Sequence, residues 1–468
     1  MQREKFLNIK LNKAYDVVNF TIDKDIKALT IKWSNNKQFF SAYVFGPDKK
    51  LYAQVIAAKD SGERHIATIQ SSCSPCCQSF KPNIAKGVWS LEYGVLNMCD
   101  ADDISLEIYE GDLDSEENSF NEVNLFDSIK MKDDGPKKTF YAADFHTHTI
   151  YSDGKMSREA NNDVAIKQGL DFFVPTDHNV YHYTWPKHEG LKVYSGIEIT
   201  SSLGHINLLF TEKTPFAEHA IYEIEDEEAL VRIIKEAKDY SLISVNHPCM
   251  PPWDFHAKLF PLDLITFMEV INDPTYMTSK KAIKDAIKAW NYLLNDGYRV
   301  ISIGGSDSHL LPEEKYEGSE YPSLLGDPKT IVYAKENTAE ALKDAMLAGE
   351  VSVTRSKEIK LSANGLAREN ENFTGRASLR AELLENNFHS SALHISWLID
   401  GECVKDEKAK ESMFSIEIDS AYHWIRVDVW DEDGNLYGYT NPIFFNRKTK
   451  EHEMKVWGDL MEKMSNEK

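Results

Sequence analysis

Between residues 139 and 355, short apolar runs alternate with longer amphipathic runs of helical period, and this alternation limits the possible folds more than anything else in the chain. Strand-like runs fall at 140–145, 171–174, 193–199, 205–210, 242–245, 265–271, 300–303 and 330–333. Helical patterns fall at 158–168, 227–239, 280–295 and 339–348. The last is preceded by Asn337, with Glu340 three residues on, close to a capping-box arrangement. Strands separated by helices imply a parallel sheet, because parallel neighbours need a crossover connection. A span of this length suits a closed or nearly closed barrel, with an open doubly wound sheet as the other arrangement.

The flanks read differently. Before residue 135, short runs such as 29–33, 41–45 and 104–108 are separated by Gly, Pro and Asp, a spacing that suggests a sandwich. Residues 110–127 carry seven carboxylates and no Lys or Arg, and Gly135-Pro136 follows in a polar stretch, so a linker is expected there. After Arg355, residues 425–430 alternate, Asp433-Gly434 supplies a hairpin turn and 437–440 continue as the return strand. An EF-hand reading of Asp431–Gly434 fails because Val429 stands where a ligand is needed. The polar tail from Lys448 suggests a short terminal helix. The expected organisation is a β-rich domain over 1–137, an α/β barrel over 138–355 and a β domain over 356–468.

Composition excludes several classes. The 468 residues include 53 Lys plus Arg against 75 Asp plus Glu, a net charge of −22 that argues against nucleic acid. No run approaches the roughly 20 apolar residues of a spanning helix. Residues Met1–Lys5 lack the apolar core of a signal peptide, so a cytoplasmic protein without membrane association is the expectation. Six cysteines do not make a disulfide scaffold, and Cys73, Cys76 and Cys77 lack a second pair for structural zinc, so they read as a reduced loop.

Histidine is unevenly placed: ten of 15 fall between His146 and His309. His146 and His148 stand at i and i+2 after the first apolar run, on one face if the strand continues. Asp153 follows in a Ser-Asp-Gly turn, and Asp177-His178 ends the next strand. Glu198 alternates with Ile197 and Ile199, and a carboxylate in an apolar strand is costly to bury unless paired or bound to a cation. His205 begins a strand, His247 precedes a strand-stopping Pro248, and Asp307 and His309 again stand at i and i+2. All but His205 lie at or beyond C-terminal strand ends, where α/β barrels place their chemistry. Six imidazoles and three carboxylates exceed one tetrahedral site, so two or three divalent ions (Zn, Mn or Fe) are expected.

The ordered series His146-Thr-His148, Ser152-Asp-Gly154, Thr176-Asp-His178, Gly196-Ile-Glu198, Asn246-His-Pro248 and Ser306-Asp-Ser-His309 resembles the polymerase and histidinol phosphatase (PHP) family, and is most similar to its stand-alone branch named after a carbaryl hydrolase. The resemblance implies a distorted seven-stranded TIM-like β/α barrel. It also implies that His146, His148 and Asp307 share one ion, that Glu198 bridges two, that His205 and His247 complete the second, and that Asp153, His178 and His309 hold a third. Some family members carry His where Gly154 stands. Asp177 has the competing roles of orienting a ligand and acting as general acid.

These ions make hydrolysis the expected reaction, with a bridging hydroxide as nucleophile and His178 or a bound water protonating the leaving oxygen. The expected substrate is a small phosphomonoester or phosphodiester. An ester, carbamate or amide is the alternative, and a catalytically inactive binding protein a third reading. Arg355 is expected to reach a phosphate. The aromatic loop 181–188 reads as packing on the barrel, and His182, His188, His219 and His256 as loop or surface residues. The role of the flanking β domains and the oligomeric state are not readable.

Overall fold

The computed structural model describes residues 4–10, 14–26, 28–35, 39–57, 62–70, 84–96, 105–110, 122–125, 129–130, 139–355, 358–363, 365–384, 393–448 and 450–466. The Cys73–Cys77 cluster and most of the acidic stretch lie outside them.

The N-terminal strands form two antiparallel four-stranded sheets. One is ordered Glu4–Lys10, Ser105–Glu110, Ala28–Asn35, Gly62–Gln70, and the other Tyr15–Ile22, Gly87–Leu96, Phe39–Phe45, Leu51–Ala57. Strand alternation buries Leu29 and Ile31 in the first and Ala42, Val44, Trp89 and Leu91 in the second.

The middle of the chain forms the expected strands and helices, but their pairing departs from a parallel barrel. A five-stranded sheet runs Gly196–Ser201, Gly204–Leu209, Leu242–Val245, Phe267–Asn272, Ile301–Gly305. Its first two contacts are antiparallel and its last two parallel. Tyr141–Asp144, Phe172–Phe173 and Lys192–Val193 pair in parallel in a second sheet. The closed barrel expected from the alternation is therefore absent as a continuous ladder. The physical reason is edge competition: Lys329–Val332 pairs antiparallel with Tyr141–Asp144 and takes the edge that closure would give to Ile301–Gly305. The two sheets meet instead at single bridges, Thr147 with Ser308 and His178 with Glu198.

Helices cover these sheets with apolar stripes. In Glu227–Ala237, Leu230, Ile233, Ile234 and Ala237 are buried at helical spacing, and Asp226 caps the N-terminus by accepting from the Ala229 amide. Ser279–Asn295 buries Ile283, Ala286, Trp290 and Leu293 in the same way. The cap of Ala339–Leu347 is Thr338 and not Asn337: the Thr338 hydroxyl accepts from the Ala341 amide, while Asn337 accepts from the Tyr194 hydroxyl.

The sheet that begins with Lys192–Val193 continues past Lys329–Val332 into Val351–Thr354, then Leu436–Thr440, His423–Trp430, His394–Ile399 and Glu402–Lys408. One hydrogen-bonded ladder thus crosses residue 355. The expected hairpin turn lies between His423–Trp430 and Leu436–Thr440, with Gly434 at φ 69°. The terminal helix Trp457–Asn466 docks through Trp457, whose indole N–H donates to the Phe255 carbonyl at 2.9 Å. No helix among the described residues is long and apolar enough to cross a membrane.

Asp144, fully buried, ties the strand ends together. One oxygen accepts from the His146 and Ser306 amides, each at 3.1 Å, and the other from the Gly326 amide at 2.7 Å. Burial raises its carboxyl pKa to about 6, against the pull of these donors. Asp144→Asn turns an amide NH₂ toward at least one of these N–H groups. A lost and repelled buried donor costs on the order of 2–3 kcal/mol, so the urea midpoint should fall clearly below wild type, as followed by tryptophan fluorescence.

Candidate metal centre

The seam between the two sheets gathers all nine side chains. Glu198 points to the mouth while Ile197 and Ile199 enter the core, as alternation demands. Its carboxylate lies 3.1 Å from His146 Nε2, 2.5 Å from His178 Nδ1, 3.2 Å from His205 Nδ1 and 3.7 Å from His247 Nε2. Asp307 Oδ1 lies 3.2 Å from His146 Nε2 and 3.0 Å from His148 Nε2. Asp153 Oδ1 lies 3.0 Å from His309 Nε2 and 3.4 Å from His178 Nε2.

His205 reaches the same mouth because its strand runs antiparallel: Thr200 pairs with His205, so the start of one strand lies beside the end of the other. Two of the nine positions use left-handed backbone, His247 at φ 28° and Asp307 at φ 49°, a conformation that costs energy and clusters at functional sites. Gly154 sits where a Cβ would come within 2.7 Å of the His148 carbonyl carbon, so a larger side chain has no room there. At Gly305 a Cβ would strike His146 Cβ at 2.5 Å and the Glu269 carboxylate.

These donors form four overlapping sets, each with its ligand atoms within 4.8 Å: His146, His148, Asp307; His146, Glu198, His247; His178, Glu198, His205; and His148, Asp153, His178, His309. Divalent cations fit them. The buried atoms His146 Nε2, His148 Nε2, His205 Nδ1 and Asp307 Oδ1 make no aligned hydrogen bond, although a buried polar atom normally does. The imidazoles are also pushed in opposite directions. Burial, with His309 and His178 nearby, lowers His148 to about 4, and burial lowers His205 to about 4 despite Glu198. His309 rises to about 10 because Asp153 outweighs its burial, and His146 rises because Asp307, Glu269 and Glu198 outweigh its burial. Protons alone leave these neighbours in conflict, whereas cations satisfy neutral imidazoles and carboxylates together.

Supporting groups surround the donors. Glu269, which the sequence reading missed, accepts from His146 Nδ1 at 2.9 Å, from the His247 amide at 3.1 Å and from Asn272 at 2.9 Å. It fixes the His146 tautomer with Nε2 toward the mouth, as outer carboxylates do for metal-bound histidines. The signal was present: like Glu198, Glu269 is a carboxylate in an apolar strand, Phe267–Asn272. Asn246 donates to Glu198 at 2.8 Å.

Asp177 accepts from the Thr149 amide at 2.7 Å, the Thr149 hydroxyl at 2.6 Å, the Ser152 hydroxyl at 2.5 Å and His182 Nε2 at 2.5 Å. Although burial opposes its charge, these partners hold it well below the usual carboxylate range, so it orients neighbours and carries no proton to give. His182, read as a loop or surface residue, lies in a loop but is fully buried against it. Tyr181 and Trp185 are buried as well, so this loop packs inward. Arg355 differs from expectation: its guanidinium is held by Asp327 in a two-bond fork at 3.0 and 2.8 Å. Lys155 at the exposed edge is engaged by Glu314 at 2.9 Å.

No family model matches the chain, and no curated protein matches it. Among solved structures, it is similar to a two-domain protein from Bacteroides vulgatus described as containing a predicted PHP-like metal-dependent phosphoesterase, at 19% identity over 67% of this chain and 97% of that one, with a TM-score of 0.38. Fibronectin(III)-like modules of Clostridium thermocellum CbhA match 19% of this chain and 97% of their own at 15% identity and a TM-score of 0.15. A β-glucuronidase of Bacteroides uniformis matches 92% of this chain and 61% of its own at 10% identity and a TM-score of 0.17. TM-scores this low leave the likenesses without weight on fold or function.

Glu269→Gln should keep the fold but weaken metal binding roughly 10- to 100-fold, the usual effect of losing an outer carboxylate. Competition with a chromogenic chelator reads this directly, and an unchanged binding curve would contradict the role assigned to Glu269.

Proposed function

We propose that this chain is a metal-dependent hydrolase of the PHP kind, built on a distorted barrel, and that it acts on a small phosphomonoester or phosphodiester. The observation that carries the reading is the set of overlapping His, Asp and Glu groups, several of whose buried donor atoms make no aligned hydrogen bond within the protein. His146, His148 and Asp307 would hold one cation, Glu198 with His205 and His247 a second, and Asp153, His178 and His309 a third. Divalent ions bound there supply Lewis acidity and lower the pKa of water toward about 7.

The protein's own part is to hold these ligands rigid and dry. Glu269 orients His146, Asp177 locks the Thr149–Ser152 turn that leads to Asp153, and Thr200 fixes His178 through a 2.6 Å hydrogen bond. Asp177 is thereby assigned to positioning and not to proton transfer. The acidic surplus of the chain favours a small-molecule substrate over nucleic acid.

One observation favours a second reading at the same centre. Arg355 and Lys155 both spend their charge on acidic neighbours, so neither supplies a free clamp for phosphate. An ester, carbamate or amide substrate needs no such clamp.

Metal content by inductively coupled plasma mass spectrometry, with hydrolysis of p-nitrophenyl phosphate and p-nitrophenyl acetate in parallel, tests both readings. Wild type should hold two or three equivalents of Zn, Mn or Fe. EDTA should abolish turnover and added metal restore it, and His148→Ala should lose at least one equivalent together with about 100-fold or more of kcat/KM. Phosphate hydrolysis supports the first reading and acetate hydrolysis alone the second. Less than one equivalent after reconstitution would sink both.

A further inference from the structure

The N-terminal sheet containing Phe39–Phe45 and Leu51–Ala57 sends two polar side chains toward the metal centre. Tyr43 and Gln54 are each only 1% exposed. A buried amide or phenol is costly unless hydrogen-bonded, so their partners matter. The Tyr43 hydroxyl donates to the Asn179 carbonyl at 2.6 Å. The Gln54 amide donates to the Tyr181 carbonyl, and its oxygen accepts from the Tyr181 amide at 3.1 Å. Gln54 thus serves both backbone groups of one residue, as a neighbouring strand would.

Their targets flank a strained segment directly after His178. Asn179 has left-handed backbone at φ 55°. Its amide N–H donates to the Glu198 carbonyl at 2.7 Å, its side-chain NH₂ to the Thr200 carbonyl at 3.1 Å, and its side-chain oxygen accepts from the Thr200 amide at 3.0 Å. Thr200 in turn fixes His178 Nδ1 at 2.6 Å, leaving Nε2 toward Asp153. A chain of hydrogen bonds therefore runs from Tyr43 through Asn179 and Thr200 to a proposed ligand, while Gln54 pins Tyr181, two residues further along the same backbone.

We infer that Tyr43 and Gln54 are positioning residues for the metal centre: through Asn179 and Tyr181 they hold His178 toward Asp153 and His309, so that filling of the third cation position depends on the N-terminal sheet. This rests on the metal-centre reading above. It gives the N-terminal domain a function in the chemistry that a purely supporting domain would lack.

Equilibrium dialysis of the full-length protein against Mn²⁺, with bound metal measured by mass spectrometry and urea midpoints recorded alongside, tests the inference. Wild type should take up three equivalents. Tyr43→Phe, which removes one oxygen atom, and Gln54→Ala should each weaken the last equivalent about tenfold and leave the first two unchanged. Phe20→Leu, which disturbs the Phe20–Trp89 ring pair of the same sheet, should lower the urea midpoint and leave the metal isotherm alone. Isotherms of Tyr43→Phe and Gln54→Ala that superimpose on a three-equivalent wild type would overturn this inference alone. So would Phe20→Leu weakening the same equivalent equally, or a wild type that stops at two. A wild type with no bound metal would overturn the metal-centre reading and this inference with it.

Discussion

The structure is organised around the burial of Glu198. This carboxylate has no exposure to water, and an isolated charge in such a place would cost far more than a domain's margin of stability. His146, His178, His205 and Asn246 surround it, and they do so because four strand ends from the two sheets converge on one point. Much of the fold around the mouth follows from this: the antiparallel hairpin that returns His205, the left-handed turns at His247 and Asp307, and the glycines that let backbones approach. Each is unfavourable alone and tolerable only where the surroundings over-determine it.

The seam geometry also explains how neighbouring ligands acquire different characters. His148 has two imidazoles beside it and resists protonation, while His309 faces Asp153 and favours it. Such divergence between close titratable groups marks functional sites more often than structural ones. Here it arises from burial and from the neighbour each residue meets across the seam. The Asp153 turn and the His148 and His178 ends approach from one sheet, and the Glu198, His205, His247 and His309 ends from the other.

Much of the centre was legible in the sequence because the relevant signals are local. The His-Thr-His and Ser-Asp-Ser-His pairs lie at strand spacing, and Glu198 stands out among isoleucines. Glu269 carries the same signal as Glu198, a lone carboxylate in an apolar strand, but was passed over. His205 looked anomalous because alternation of strand and helix suggests only parallel neighbours, and a two-residue hairpin connection overrides that. The burial of His182 and the pairing of Arg355 could not be read from the sequence for a shared reason. Their partners, Asp177 and Asp327, were in plain view, but whether a partner satisfies a side chain or leaves it for a ligand is decided by tertiary packing. The same limit hid the edge competition that keeps the barrel from closing, since Lys329–Val332 read simply as one more strand.

The ladder that runs from Tyr141–Asp144 through Val351–Thr354 into Leu436–Thr440 has a consequence for how the chain can be divided. A fragment ending at the composition boundary near residue 355 would leave Val351–Thr354 as a bare outer strand, buried in the intact chain and rich in β-branched residues. Exposed edges of that kind recruit strands from other molecules. The unit that carries the candidate metal centre is therefore bound to the segments after it by solubility as much as by stability, and it would have to evolve, or be engineered, together with its C-terminal cover.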